Sequence, residues 1–141
     1  MTVYTFVTGA GEGLPTGYAA QIVALYRAAG WWDEAGDDDR LVDAIIGGSH
    51  CFLAAVEGEC VVGMGRAISD GASDAYIQDV TVRPDRRGQG IGGQIVRRLV
   101  RRLADDGIGW IGLIAENDSL GFYRRLGFAV MERSVPMLRK R

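Results

Sequence analysis

The chain has 141 residues, 48% of them hydrophobic and 24% charged. That length suits a single domain, 1–141, able to bury roughly 68% of its unfolded surface without a disulfide or metal. The composition excludes a disordered chain, the longest apolar runs (residues 52–56, for example) are too short to cross a membrane, and the net charge of −2 argues against nucleic acid.

Residues 3–7, rich in β-branched and aromatic side chains, predict a first strand. A glycine-rich loop at 9–17 leads to a helix over 18–29. Ile22, Leu25, Tyr26 and Ala29 form its apolar stripe, and Gly30 stops it. Trp31, Trp32, Asp33 and Glu34 fall in a loop. Asp37 or Asp38 is placed to cap a second helix through Ile46, with Leu41, Val42 and Ile45 on its apolar face and Gly47-Gly48 at its end.

Strands follow at hairpin spacing over 51–56, 59–69 and 75–82, with turns at Glu57-Gly58 and 70–74. Pro84 stops the third. A two-residue turn at Glu57-Gly58 sets Ala55 against Cys60 and Cys51 against Met64. The two cysteines are then not partners, and no disulfide is expected. His50 leads into the strand at 51–56. As the lone histidine, with no ligand cluster of zinc spacing, it points to no metal. A nucleophilic triad built on Ser49 and His50 is disfavoured, because chain neighbours rarely face each other. A glycine-rich turn over 86–93 opens a long helix over 90–105 with the stripe Ile91, Ile95, Leu99 and Leu103. A strand over 109–115, a short helix over 119–126 ended by Gly127, and a last strand over 128–138 complete the chain. The order is that of an α+β, or mixed α/β, domain.

The glycine-rich turn carries the strongest signal. A strand ending Val80-Thr81-Val82 runs into Arg86-Arg87-Gly88-Gln89-Gly90-Ile91-Gly92-Gly93 and then into a helix. Glycines let a ligand approach the backbone, and unpaired N–H groups at a helix start attract phosphate. The spacing Gly88-x-Gly90-x-x-Gly93 fits a dinucleotide fingerprint, but the acidic residue that motif needs at the end of the next strand is missing. No Gly-Lys-Ser/Thr is present, which excludes a Walker loop.

Arg87-Gly88-Gln89-Gly90-Ile91-Gly92 matches the acetyl-CoA signature (Gln/Arg)-x-x-Gly-x-(Gly/Ala) of the GNAT acetyltransferases. Phe122-Tyr123-Arg124-Arg125-Leu126-Gly127-Phe128 resembles the same family's Phe-Tyr-x-x-x-Gly-Phe. The resemblance covers nearly the whole chain, most specifically 75–128. It implies a mostly antiparallel sheet of about six or seven strands, splayed open beside the strand ending at Val82 and flanked by about four helices. It also implies an enzyme that moves an acetyl group from acetyl-CoA directly to the primary amine of a small acceptor, with no metal. The pantetheine arm would pair with the backbone at Val80, Thr81 and Val82, and residues Arg87, Gly88, Gln89, Gly90, Ile91, Gly92 and Gly93 would wrap the pyrophosphate.

By the same resemblance Tyr123 gives a proton to the departing thiolate. Asp79, a charged residue mid-strand, serves as general base or orients the acceptor. Simple alternation puts Asp79 with Ile77 and Thr81 unless a bulge intervenes. Asn117 is similar to a family asparagine that contacts the cofactor, although the Asn-x-x-Ala spacing is not kept. Trp31 and Trp32 follow the first helix where the family builds its acceptor pocket; one is expected to pack inward and the other to line the pocket. Arg97, Arg98, Arg101 and Arg102 read as a solvated helix face.

Charge is unevenly spread. Residues 1–85 sum to −9 and residues 86–141 to +7. An acidic acceptor side beside a basic cofactor side predicts an acceptor that is cationic before reaction; internal neutralisation between the halves is the alternative. Two further readings stay open: a non-catalytic acyl-CoA-binding or sensor domain of the same fold, and a nicotinamide or flavin nucleotide-binding domain. The acceptor's identity is not legible. Family members are often dimers, so a homodimer is an option. Residues 1–10 lack the pattern of a signal peptide, and a cytoplasmic location is expected.

Overall fold

Every residue of the run 51–56 is both apolar and buried, which demands a strand covered on both faces. A computed structural model of the chain, describing residues 1–8, 14–33 and 39–141, contains that strand at the heart of a sheet. In chain order the elements are β1 (Val3–Val7), α1 (Tyr18–Ala28), α2 (Asp39–Gly48), β2 (Cys51–Glu57), β3 (Cys60–Ser69), β4 (Asp74–Val82), a 3-10 turn at Pro84–Arg86, α3 (Ile91–Asp105), β5 (Trp110–Gly112) and α4 (Leu120–Arg125). The strands lie in the order β1-β2-β3-β4-β5. The first four pair antiparallel and β5 runs parallel to β4.

Two cores sandwich the sheet. On one face Ile22, Tyr26, Val42 and Ile46 of α1 and α2 meet Phe52, Ala54 and Met64. On the other Ile91, Ile95, Leu99 and Leu103 of α3 meet Leu53, Val62 and Ile77, with Phe122 and Tyr123 of α4 packed alongside. The four-residue spacing in α3 thus marks its buried stripe, as expected. Its arginine face is only partly solvated: Arg98 lies 4.5 Å over the Tyr4 ring and Arg102 4.9 Å over Phe6, shielding the rim of the core.

The α+β class holds, but with five strands among the described residues rather than six or seven. The expected last strand, 128–138, does not form. A turn at Glu132-Arg133, with Arg133 at φ 54, interrupts it, and Pro136 has no N–H to donate. The strand expected at 109–115 shrinks to Trp110–Gly112.

The first hairpin loop is Gly58-Glu59, one residue later than expected, so Glu57 pairs with Cys60 and Cys51 with Ala67. Both cysteines are free, Cys51 buried and Cys60 exposed. Helix α2 runs through Gly47-Gly48, since neither glycine takes the left-handed conformation that ends a helix. Leu41, expected on its apolar face, is exposed. The capping expected of Asp37 or Asp38, the loop position of Glu34 and much of the 9–17 loop lie outside the described residues. His50 does precede β2; its Nε2 sits 2.7 Å from Asp106 Oδ2, tying the start of β2 to the end of α3.

Candidate active site

Strand β4 loses a neighbour halfway along. Its pairing with β5 ends at Tyr76 opposite Gly112, so the 77–82 edge has no strand beside it on that side among the described residues. A cleft of about 1000 Å³ opens in this gap. Its floor is β4 from Tyr76 to Val82, one wall is the start of α3, and the other is the 113–123 segment. Extended backbone with unpaired amides and carbonyls is a template for an amide-bearing chain.

At the end of β4 the backbone makes an anion cradle. Gly88 and Gly90 take φ of 78 and 83, which favour glycine, and a Cβ at either would stand in open space. Gly90 is the N-cap of α3 and no side chain caps the helix, so the amides of its first turn are available to a ligand. Gln94 N–H bonds the Gly90 carbonyl and starts the helix ladder. Arg87 Nε donates to the Val82 carbonyl at 3.0 Å, folding the loop back on β4. Arg86 lines the cleft and is anchored by Glu57 at 2.9 Å, a bond that holds the Glu57 carboxyl below its ordinary range. A diphosphate with an amide-bearing arm therefore fits both parts of the gap.

The middle of β4 is bulged. Met64 pairs with Thr81 and Arg66 with Gln78, so Asp79 and Val80 both stand against the single Gly65. Asp79 takes the left-handed conformation, φ 58, which Asp tolerates better than most residues. The space for this crowding comes from Gly65, where a Cβ would lie 2.7 Å from Ile95. The bulge overturns simple alternation. Val80 and Val82 pack with Ile77 on the α3 face, while Asp79 turns to the α1 face. There its Oδ2 accepts hydrogen bonds from Tyr26 at 2.7 Å and from Arg66 Nε at 2.6 Å. Burial, then the Asp79 carboxylate, push the Tyr26 phenol well above its ordinary value, so it stays a donor.

Tyr123, on α4, lines the same cleft with Phe122. Its ring is fixed edge-on between Phe122, at 4.9 Å, and Phe128, at 5.9 Å. Burial, then Glu116, raise its phenol above 10.0, so it holds its proton at neutral pH. Asn117 lines the cleft in a tight turn before α4, at φ 53 beside Asp118 at φ 60.

The cleft thus brings together Asp79, Tyr123, Val80, Thr81, Val82, Arg87, Gly88, Gly90, Ile91, Gly92, Gly93, Asn117 and Trp31. Two expected residues are not on it. Gln89 is exposed, and Trp32 packs inward, stacked on Tyr26 at 4.0 Å and 7°. Sequence reasoning missed Arg66 and Tyr26. Arg66 did leave a trace, as the single charge in the apolar run of β3, where an arginine must find a partner.

The acetyltransferase (GNAT) family model matches residues 19–128. The chain belongs to this family. Over 68 residues it is 47% identical to the chloroplastic GCN5-related N-acetyltransferase 2 of Arabidopsis thaliana, a match spanning 48% of this chain and 26% of that protein. Over 69 residues it is 44% identical to the chloroplastic serotonin N-acetyltransferase 2 of rice, Oryza sativa subsp. japonica, spanning 49% of this chain and 34% of that protein. The match is therefore a minor part of each relative's length. A GNAT family protein from Streptococcus pneumoniae shares the fold, with a TM-score of 0.79 at 23% identity, covering 100% of this chain and 98% of that one. The splayed sheet, the glycine loop and the Phe-Tyr helix are thus a GNAT scaffold.

Proposed function

We propose that the protein is an acetyl-CoA-dependent N-acetyltransferase acting on the primary amine of a small, cationic acceptor. The observation that carries this reading is one cleft holding an anion cradle, an unpaired strand edge, a carboxylate and a protonated phenol. Acetyl-CoA, when bound, supplies an acetyl group activated as a thioester. The open edge of β4 at Val80 and Val82 pairs with its arm, and the amides around Gly88, Gly90 and the start of α3 hold its pyrophosphate.

The chemistry left to the protein is modest. Asp79 faces the acceptor side with Oδ2 already engaged by Tyr26 and Arg66. Its remaining acceptor capacity orients the amine and takes its proton, directly or through a water. Tyr123 holds a proton for the sulfur that leaves as the carbon–nitrogen bond forms. Trp31 offers an aromatic wall to the acceptor.

The rival is an acyl-CoA sensor of the same fold. A sensor needs the cradle but neither Tyr123 nor Asp79. Thiol release from acetyl-CoA, followed across a library of amines, separates the two. Release with at least one amine is expected. Tight acetyl-CoA binding with no release from any amine would establish the sensor.

A further inference from the structure

We propose that Tyr26 is the positioning residue of the acceptor side: without lining the cleft itself, it fixes both Asp79 and Trp31, a role that rests on the acetyl transfer proposed above. Asp79 and Trp31 line the cleft, whereas Tyr26 lies behind them, 2% exposed, in the core under α1. It reaches each of them with a different part of the residue. Its carbonyl accepts hydrogen bonds from the N–H groups of Trp31, at 3.1 Å, and Trp32, at 3.3 Å. Gly30, at φ 80, turns the chain back at the end of α1 so that both amides reach it. Its ring stacks on Trp32 at 4.0 Å and meets Trp31 edge-on at 6.1 Å. Its hydroxyl donates to Asp79 Oδ2 at 2.7 Å, from 53 positions away in the chain.

Packing alone does not account for a tyrosine here. The ring contacts and the carbonyl bonds would be the same with phenylalanine. The hydroxyl is what differs, and a buried hydroxyl is costly unless it has a partner. Its partner is a carboxylate on the cleft. The phenol also stays a donor, because burial and then that carboxylate push it far above its ordinary value.

The Asp79 carboxylate swings about its own side-chain bonds unless something holds it. Two donors meet on Oδ2, the Tyr26 hydroxyl and Arg66 Nε at 2.6 Å, both short bonds to a charged oxygen. Oδ1 accepts no hydrogen bond among the described residues and is the oxygen left for the amine. Turning the carboxylate away breaks both bonds at once. The two holders are not equivalent. The Arg66 guanidinium is shared with Ser49 Oγ and Gln78 Oε1, each at 3.3 Å, and sits on a long flexible side chain. The Tyr26 hydroxyl sits on a ring clamped by the two tryptophans, so it is the rigid member of the pair. One residue thereby sets the carboxylate and the aromatic wall in a fixed relation to each other.

The test is kinetic, on the amine of the library that gives the fastest thiol release, with melting temperature and the acetyl-CoA thermal shift as fold controls. Tyr26→Phe keeps the ring, the carbonyl and the Trp31 wall and deletes the hydroxyl alone. Its kcat is expected to fall about three- to fivefold, with the acceptor KM within about twofold of wild type. The deciding readout is the cycle with Asp79→Asn. In that background Tyr26→Phe is expected to cost nothing further, because a residue that acts through the Asp79 carboxylate has nothing left to position. Tyr26→Leu, which removes the ring as well, is expected to raise the acceptor KM; if it does not fold, the Tyr26→Phe cycle decides alone. Wild-type kcat in Tyr26→Phe, losses that multiply in the double variant, full kcat in Asp79→Asn, or a folded Tyr26→Leu with unchanged acceptor KM overturns the positioning role and leaves acetyl transfer standing. A wild type that releases thiol with no amine overturns the acetyltransferase reading, and this role with it.

Discussion

The two ends of the cleft are built from different materials. The proposed cofactor end is mostly backbone: an unpaired strand edge, two left-handed glycines and the amides of the first turn of α3. The proposed acceptor end is side chains, Asp79 from the β4 bulge and Trp31 after α1, with Asp79 held from outside the cleft by Tyr26 of α1 and Arg66 of β3. Backbone geometry at a glycine loop follows from a few consecutive residues, so it can be shared by relatives that differ in acceptor. A side-chain constellation depends on partners separated by 13 and 53 positions, and it can change one residue at a time. The family signature therefore speaks for the cofactor end and says little about the acceptor.

Breaking the cofactor end should have the largest effect. Gly90→Val puts a β-branched residue at φ 83, a conformation such residues rarely adopt, at the N-cap of α3 beside the amides proposed to hold the pyrophosphate. A cosubstrate at 100 times its Kd adds about 2.7 kcal/mol of stability, worth roughly 5–10 °C in Tm for a domain of this size. Acetyl-CoA should raise the wild-type Tm by about that much and leave the variant at its own baseline. NAD should shift neither. A full acetyl-CoA shift in Gly90→Val would remove the loop from the binding site.

Tyr123→Phe tests the join between the two ends. The ring and its packing against Phe122 and Phe128 survive, and only the proton donor is lost. Turnover should fall on the order of 10²-fold while the acetyl-CoA thermal shift is kept. Unchanged turnover would leave Tyr123 as a packing residue.

The same contrast explains what could be read from sequence. The α3 stripe, the glycine loop and the Phe122-Tyr123 helix are local patterns of 3.6 periodicity and turn chemistry, and each is found at the expected place. The bulge at Asp79 is not local. It arises because Gly65, on another strand, leaves room beside Ile95 for one extra residue of β4. Without that partner, alternation puts Asp79 on the wrong face. The predicted strand over 128–138 failed for a related reason. Its composition suits a strand, but a strand needs a neighbour, and within one copy the segment pairs with none.

Asp79→Asn sharpens the acceptor end with a smaller effect. Asn tolerates the left-handed backbone and can still accept from Tyr26, so the fold should survive. Loss of the negative charge should lower the acetylation rate by about tenfold, less than a full proton-transfer contribution because Oδ2 is already engaged. The deficit should be greatest at low pH, where the amine is hardest to deprotonate. A variant that keeps the wild-type pH profile would assign Asp79 to holding Arg66 and Tyr26 in place.

The smallest expected effect concerns long-range steering. Several carboxylates of the acidic first half are cancelled locally: Glu57 on Arg86, Asp79 on Arg66 and Asp85 on Arg83. Paired with a cation nearby, each adds little to the field at long range. The sequence also carries an acidic run over residues 33–39, which follows Trp31 of the cleft wall. Such a run attracts a protonated amine over about a Debye length, roughly 30 Å at 0.01 M salt and 8 Å at 0.15 M. For a cationic acceptor, kcat/KM should fall about two- to fivefold between those salt concentrations, with kcat nearly constant, because steering acts on encounter rather than on chemistry. Substituting Asp37, Asp38 and Asp39 by Asn should flatten that dependence. If kcat/KM of the best acceptor ignores salt, or if that acceptor is an anion, the −9 and +7 halves neutralise each other within the fold and the acceptor end reads its substrate by contact alone.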